Sequence, residues 1–559
     1  MNWYSILIDL LIIAFIAVMG RHGVLRGKFF LHIFQQKGYK FNEYGRWLWN
    51  HWTSRVITHA HLLFMFIIAG LFFLMSRTIT GSAAVVTISL FGFFWFGPFN
   101  YYRGQQKKPL VFTPRMIRLT IPFALFCLIL PVMTVYVAFI EQQLWLEGPM
   151  SGEGMTLISA DIYYLALGWV LADIMVPLWV FPAALLTWPI EKRIHAHFIK
   201  LAMQKLADMP DLKVIAITGS YGKTSTKFMM RDLLEERYAV CSTPESYNTP
   251  MGICKVINDN LEARHQVLIL EMGARYEGNI DELCDIAEPD ISVITNIGIA
   301  HLETFGSREA IARTKSTLIT RLKPGGTAVL NGDDPRVRTM AGMRDDIEVL
   351  MAGLKQGDFT ASDITYGPDG TRFVVHTPDG QQETFRMRLI GSHNVQNMLL
   401  AVGVGSLFGL RLKTMAVAAR RIEPIEHRLE LKKAGDIHII DDAFNSNPVG
   451  ARNAVEILSQ FDTGRRIIIT PGMIELGEME EVKNREFGEA IGRAGLDQVI
   501  LIGAERSRPI VEGIRQTGFD MEKVSVVASL EEANRIVRET VKAGDVVLYE
   551  NDLPDSFNE

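Results

Sequence analysis

Seven consecutive residues carry the sharpest chemical pattern in this chain: Gly219, Ser220, Tyr221, Gly222, Lys223, Thr224 and Ser225. An apolar run at 214–218 precedes them, and a stretch that turns Phe228, Met229, Leu233 and Leu234 inward on a helix follows. A strand, a glycine turn and a helix start in that order gather backbone N–H groups and the positive end of a helix dipole around phosphate oxygens. Gly219, Ser220, Gly222 and Ser225 would form the cradle, Lys223 would reach the terminal phosphates, and the Thr224 hydroxyl would hold magnesium. The loop is the short form GxxGK[ST], because Ile217 stands where the full pattern has its first glycine.

Other polar residues fall where they could meet that loop. Apolar runs at 267–270, 291–295 and 328–330 end at Glu271, Asn296 and Asn331. Short apolar runs alternating with helical stretches predict a doubly wound α/β fold, whose ligand crevice lies at the carboxyl ends of its parallel strands. Glu271 and the turn from Asn296 to His301 should therefore converge on the phosphates. A carboxylate suits magnesium, whereas imidazole is an uncommon ligand for it. No Ser/His/Asp or Cys/His arrangement stands out. That fits phosphoryl transfer, which relies on charge neutralisation and positioning more than on a covalent nucleophile. Cys127, Cys241, Cys254 and Cys284 form no CxxC pair, against a zinc ribbon or a disulfide framework.

Nine segments occur in the order used by one enzyme family: AITGSYGKTSTK (216–227), EMGARYEGNI (271–280), ITNIGIAHLETFGS (294–307), ARTKS (312–316), NGDDP (331–335), GSHNVQN (391–397), EHRLE (426–430), IDDAFNSNP (440–448) and GMIELGE (472–478). Over roughly residues 211–550 the chain resembles the Mur ligase family, and within it the D-alanyl-D-alanine-adding branch. The resemblance implies an ATP-dependent amide ligase using ATP and Mg²⁺, in which a carboxylate is phosphorylated and an amine attacks the acyl phosphate. It implies Lys223 and Thr224 as phosphate-loop lysine and magnesium hydroxyl, and Glu271 and His301 as magnesium ligands. Lys315 matches the lysine that the family carbamylates. Asn394 and Asn397 match an adenine-contacting segment, and Arg428 and Asp442 match residues that close the C-terminal domain on the nucleotide. Lys223, Lys315, His301 and Arg428 are the expected catalytic set.

The elements that must carry these residues divide the chain. Residues 1–190 hold 13 Lys+Arg and 7 Asp+Glu, while the rest hold 44 and 55, so a basic, apolar front precedes an acidic back. That distribution speaks against a nucleic-acid binder. Five apolar runs, at 4–20, 59–76, 83–100, 117–140 and 162–187, approach the length needed to cross a bilayer. Lys and Arg cluster at 21–55 and 101–118 and are absent from 141–161, which predicts an outer N-terminus and cytoplasmic ligase domains at the cell (inner) membrane. Asp9 and Asp173 fall inside predicted spans, and Trp47, Trp49 and Trp52 read as interfacial anchors.

The expected organisation is thus a five-helix α-helical membrane bundle (1–190), a P-loop Mur-ligase central domain (211–424) with a small antiparallel insertion at 346–390, and a Rossmann-like C-terminal domain (425–559). Only about 25 residues separate the last run from the first strand, too few for the UDP-sugar domain of the peptidoglycan branch, and the ending YENDLPDSFNE lacks that branch's basic loop. The expected partners are an amino acid or dipeptide amine donor, a lipid-linked or membrane-associated carboxylate acceptor, the membrane and other envelope-synthesis proteins, with no nucleic acid. A poly-γ-glutamate synthase-like ligase is the alternative, and a transport-coupled ATPase or an inactive scaffold is the reading from a different class.

Overall fold

The computed structural model describes residues 3–57, 61, 63, 110–146, 168–244, 247–299, 302–367, 370–423, 429–443, 447–461, 464–474 and 476–551, with the side chains of 3–16, 138, 139, 141–146 and 303 left aside. The chain divides into two units, Met1–Ile194 and His195–Glu559.

In the first unit the run at 4–20 does not end where its apolar stretch ends. One helix runs from Trp3 to Gln36, through Arg21, Arg26 and Lys28, because no proline interrupts it and the first left-handed residues are Gly38 and Tyr39. The basic segment expected to be a loop is therefore largely helical, and a second helix, Phe41–Asn50, buries Tyr44 and Leu48. Among the described residues, Pro114–Val137 is the one continuous helix long and apolar enough to cross a membrane. A second would qualify only if Gly168–Met175 and Val180–Ala207, bent by 47° at their break, formed one span. The five-helix count is thus one or two here, and the runs at 59–76 and 83–100 lie outside the described residues apart from His61 and Leu63.

The break at 176–179 contains Pro177, which cannot donate to a helical carbonyl. Side chains satisfy the freed carbonyls: Tyr44 Oη donates to Pro177 O (2.8 Å) and Arg26 Nε to Asp173 O (3.0 Å). Asp173 itself is enclosed. His22 Nε2 lies 2.9 Å from Oδ1, His61 Nε2 2.8 Å from Oδ2, and Arg26 Nε 3.3 Å from Oδ2. The side chain of Asp9 lies outside the described residues.

The second unit holds two six-stranded sheets. In the first, β1 (Lys213–Thr218), β2 (Val240–Ser242), β3 (Val267–Glu271), β4 (Ile291–Ile294), β5 (Thr327–Asn331) and β6 (Glu348–Ala352) take the order β2-β3-β1-β4-β5-β6. All its pairs are parallel. Ile215, Ile217, Leu268 and Leu270 are fully buried, as a sheet covered on both faces requires. The order reverses direction at β1, so the loop after β1 opens into the crevice where ligands bind in such sheets.

Residues 348–352 were expected in the insertion but form β6, the edge of this sheet. The antiparallel insertion is the later β7 (Thr360–Gly367), β8 (Gly370–His376) and β9 (Gln382–Met387). The second sheet runs β10-β11-β15-β12-β13-β14, from β10 (Glu430–Ala434), β11 (Ile437–Asp442), β12 (Arg466–Thr470), β13 (Gln498–Ile502), β14 (Val524–Val527) and β15 (Val546–Glu550). It is parallel except for the β10–β11 pair. Ile299 and Ile390 pack into the core of this second sheet's layer beside Ile457 and Leu458, joining the layers of the unit.

Candidate nucleotide site

The loop after β1 has the conformation that a phosphate cradle needs. Gly222 is left-handed (φ 78°) and a Cβ there would lie 2.6 Å from Asn397 Oδ1. Gly219 (φ 154°) would place a Cβ 1.8 Å from Thr295 Oγ1. Glycine is thus required at both positions by backbone conformation or by close approach. Lys223 to Leu234 then form the helix, with Thr224 and Ser225 buried in its first turn.

A second segment grips the loop. Asn296 Oδ1 accepts from Tyr221 N (2.9 Å) while Asn296 Nδ2 donates to Tyr221 O (3.1 Å), so one amide pairs with the backbone as a strand would. Ser220 N donates to Asn296 O (3.0 Å), Gly298 N to Ser220 Oγ (2.9 Å) and Thr295 Oγ1 to Tyr221 O (2.5 Å). The turn is held in its own right by Asp334, whose Oδ2 accepts from Ile297 N (2.8 Å). Asn296, in the turn expected to converge on the phosphates, therefore shapes the phosphate loop.

Two lysines meet on one carbonyl. Lys223 Nζ donates to Gly219 O at 2.9 Å, and Lys315 Nζ to the same oxygen at 2.8 Å. Lys315 projects from the helix Arg308–Thr320, whose start is fixed by Ser307 capping Ala310 N. Burial, reinforced by the Lys223 charge, holds the Lys315 ammonium well below the ordinary lysine range.

Glu271, at the end of β3, is buried beside this loop. Its N–H donates to Thr243 Oγ1 (3.2 Å), Asn248 Nδ2 donates to Oε1 (3.2 Å), and Lys227 Nζ lies 3.4 Å from Oε2. Neither Lys227 nor Asn248 was anticipated. The signal for Lys227 was its i+4 spacing from Lys223, which puts both on one helical face.

Among the described residues no group of three or more His, Cys, Asp or Glu could hold a metal by itself. Magnesium at nucleotide sites needs less, since one or two protein oxygens plus substrate phosphates and water complete its shell. The Thr224 hydroxyl and the Glu271 carboxylate, both hard oxygen donors and both buried, fit that requirement. His301 and Arg428 lie outside the described residues.

The remaining predicted residues fall into two groups. Asn397 lies against Gly222, and Asn394 Nδ2 donates to Ile390 O (2.9 Å) at the start of the helix Ser392–Leu407. Asp442 ends β11, where Oδ1 accepts from Leu429 N (3.2 Å). Between the two groups, His393 Nδ1 lies 3.1 Å from Asn453 Nδ2, and burial pushes His393 down to about 4.

Residues 217–405 match the family model of the Mur ligase middle domain, and 427–549 that of the Mur ligase glutamate ligase domain. The chain is 31% identical to the UDP-N-acetylmuramoyl-tripeptide--D-alanyl-D-alanine ligase of Bacillus subtilis, over 60% of this chain and 72% of the relative. It is 34% identical to the Mycobacterium tuberculosis protein of the same name, over 60% and 70%. Among solved structures, MurF ligase from Thermotoga maritima in complex with ADP aligns with a TM-score of 0.58 and 28% identity, covering 64% of this chain and 80% of that one. MurF from Acinetobacter baumannii gives 0.59 and 26%, covering 64% and 77%. With a phosphate loop at the sheet's switch point and both family domains in sequence, this chain belongs to the Mur ligase family and is an ATP-dependent amide ligase that works with magnesium.

Proposed function

We propose that this ligase is held at the cell membrane by its first unit and amidates a membrane-displayed carboxylate during peptidoglycan or other envelope-precursor synthesis. The observation that carries this reading is the segment Pro114–Val137. It is a 24-residue apolar stretch, and almost none of it is buried within the protein. Ile121, Leu125, Leu128 and Val132 are each more than half exposed. So long an uncovered apolar helix suits hydrocarbon and not water. The first unit also lies outside both family matches, which begin at residue 217. The basic clusters orient the N-terminus outward and the ligase domains to the cytoplasm.

In the proposed reaction a carboxylate oxygen attacks the γ-phosphorus of ATP, giving an acyl phosphate and ADP. An amine then attacks the acyl carbon, phosphate departs with the C–O bond, and the nitrogen loses a proton. Lys223 moves from Gly219 O to the transferring phosphoryl group and neutralises its charge. Gly219, Ser220, Gly222 and Ser225 present the cradle, with Asn394 and Asn397 framing the nucleotide. Thr224, Glu271 and His301 would hold magnesium, which when bound neutralises charge on the β- and γ-phosphates. Lys315, whose ammonium form burial disfavours, would add CO₂ through its neutral Nζ and release a proton to become a carbamate. Arg428 and Asp442 serve domain closure, which excludes water from the acyl phosphate.

The relatives are named for a UDP-linked muramoyl tripeptide and D-alanyl-D-alanine, so the amine donor is taken to be an amino acid or dipeptide. A membrane-held acceptor would gain effective concentration from tethering. The test is to incubate detergent-purified protein with ATP, D-alanyl-D-alanine or single amino acids, and either total membrane lipid or soluble UDP-linked tripeptide. Mass spectrometry should find the new amide on a lipid-linked species. An amide formed only on the soluble acceptor overturns the membrane part of the proposal.

A further inference from the structure

Phosphate chemistry already has Lys223 and Lys315, yet a third lysine is fully buried beside them. Lys227 lies one turn beyond Lys223, with its Nζ 3.4 Å from Glu271 Oε2 and 4.4 Å from the centroid of the Phe228 ring. Asn248 holds Oε1 from the other side. Gly273 leaves room for it, since a Cβ there would come within 2.7 Å of Asn248 Cγ. Both oxygens of Glu271 are therefore engaged, one by a full positive charge. A carboxylate and an ammonium buried to this degree and this close stabilise each other, because an interior charge is costly unless it is paired.

We infer that Lys227 is a resident counter-ion for Glu271, a positioning residue that makes metal binding conditional on nucleotide phosphates. The inference rests on the reading of Glu271 as a magnesium ligand. A bare divalent cation approaching Glu271 meets a carboxylate already neutralised by an ammonium with no route to solvent. Like charges a few ångströms apart in a weakly polarisable interior repel strongly. Magnesium carried on ATP brings phosphates whose negative charge exceeds that of the ion, so the repulsion is cancelled and Glu271 completes the shell. Metal and nucleotide are thereby coupled, and each raises the affinity of the other by the same factor.

The experiment measures Mn²⁺, a paramagnetic stand-in for magnesium, by electron paramagnetic resonance on the full chain in detergent, with and without ADP. Lys227→Met should bind Mn²⁺ without ADP about tenfold more tightly than the parent, and the gain in affinity on adding ADP should shrink by the same factor. Lys227→Gln, which keeps a donor to Glu271 without the charge, should do the same and covers the case in which the methionine variant fails to fold. Lys227→Arg should leave ADP-free binding as in the parent. Unchanged or weaker ADP-free Mn²⁺ binding in a folded uncharged variant overturns the inference, whatever happens to thermal stability. Glu271→Gln separates the two readings. If it leaves Mn²⁺ binding with ADP intact, Glu271 is not a ligand, whereas if it weakens that binding while Lys227→Met changes nothing, only the counter-ion role falls.

Discussion

Two buried carboxylates, one in each unit, show how differently the same group can be used. Asp173 is ringed by His22, His61 and Arg26 within a helical core, and the Arg26 guanidinium also serves the carbonyls of Asp173 and Val56. It lies at a helix break and ties three separate stretches of chain together. Glu271 sits at the carboxyl end of a parallel strand, one side chain away from a phosphate loop, with a single lysine and a single amide on its oxygens. Burial and pairing are common to both. Under the metal role proposed for Glu271, the neighbourhood distinguishes the two: a strand end beside the switch point can admit a ligand, and a packed helix break does not.

The contrast can be broken most forcefully at Asp173. Asp173→Ala removes the buried carboxylate on which His22, His61 and Arg26 converge and should destabilise the first unit by about 3–5 kcal/mol. All nine tryptophans precede residue 189, so intrinsic tryptophan fluorescence during denaturant unfolding reports this unit alone. ADP release by the surviving folded fraction should stay within about twofold of the parent, and a comparable loss of ligase activity would show that Asp173 does more than brace. Next in size, Lys223→Ala should slow amine-dependent ADP release by about 10²–10³-fold in a coupled assay, without moving the tryptophan-monitored transition.

Asn296→Ala removes both bonds to the Tyr221 backbone and should weaken ADP binding by about 1–3 kcal/mol, measured calorimetrically. Unchanged affinity would mean that the loop holds its shape without the 295–298 grip. The smallest effect concerns His393, which folding holds near 4 against about 6.5 in the unfolded chain. Between those values only the unfolded chain takes up the proton, so stability is complete above about 6.5 and is lost as pH falls towards 4. Partial exposure limits the loss to about 2 kcal/mol. Hydrogen exchange in residues 391–400 and 448–459 should show it, and His393→Asn should flatten it.

Much of this was legible in the order of residues. The phosphate loop is contiguous, so its strand, glycines, lysine and helix could be read together, and the central strands β1, β3 and β4 announce themselves as largely apolar runs, with Ser292 the polar residue inside β4. Edge strands hid. β2 has three residues, β10 is charged along Lys432 and Lys433, and β6 was absorbed into the insertion because an edge strand needs no doubly apolar pattern. Pairings between distant segments hid as well. Nothing in the neighbourhood of Lys227 points to a carboxylate 44 positions later, and Asp173 gave no sign of His22, Arg26 and His61, which folding brings from more than a hundred positions away. The apolar run at 4–20 misled at its end because a helix boundary depends on breakers and caps, and hydrophobicity stopped well before either appeared.

The shared carbonyl of Gly219 has a thermodynamic consequence. For Lys223 to meet a phosphate it must let go of an oxygen it already holds, so nucleotide capture at this loop is an exchange of partners. The heat released on binding will understate the contact made, and Lys315 inherits the vacated acceptor. A variant that weakens the Gly219 bond while leaving the loop's shape intact would therefore bind ATP more tightly than the parent.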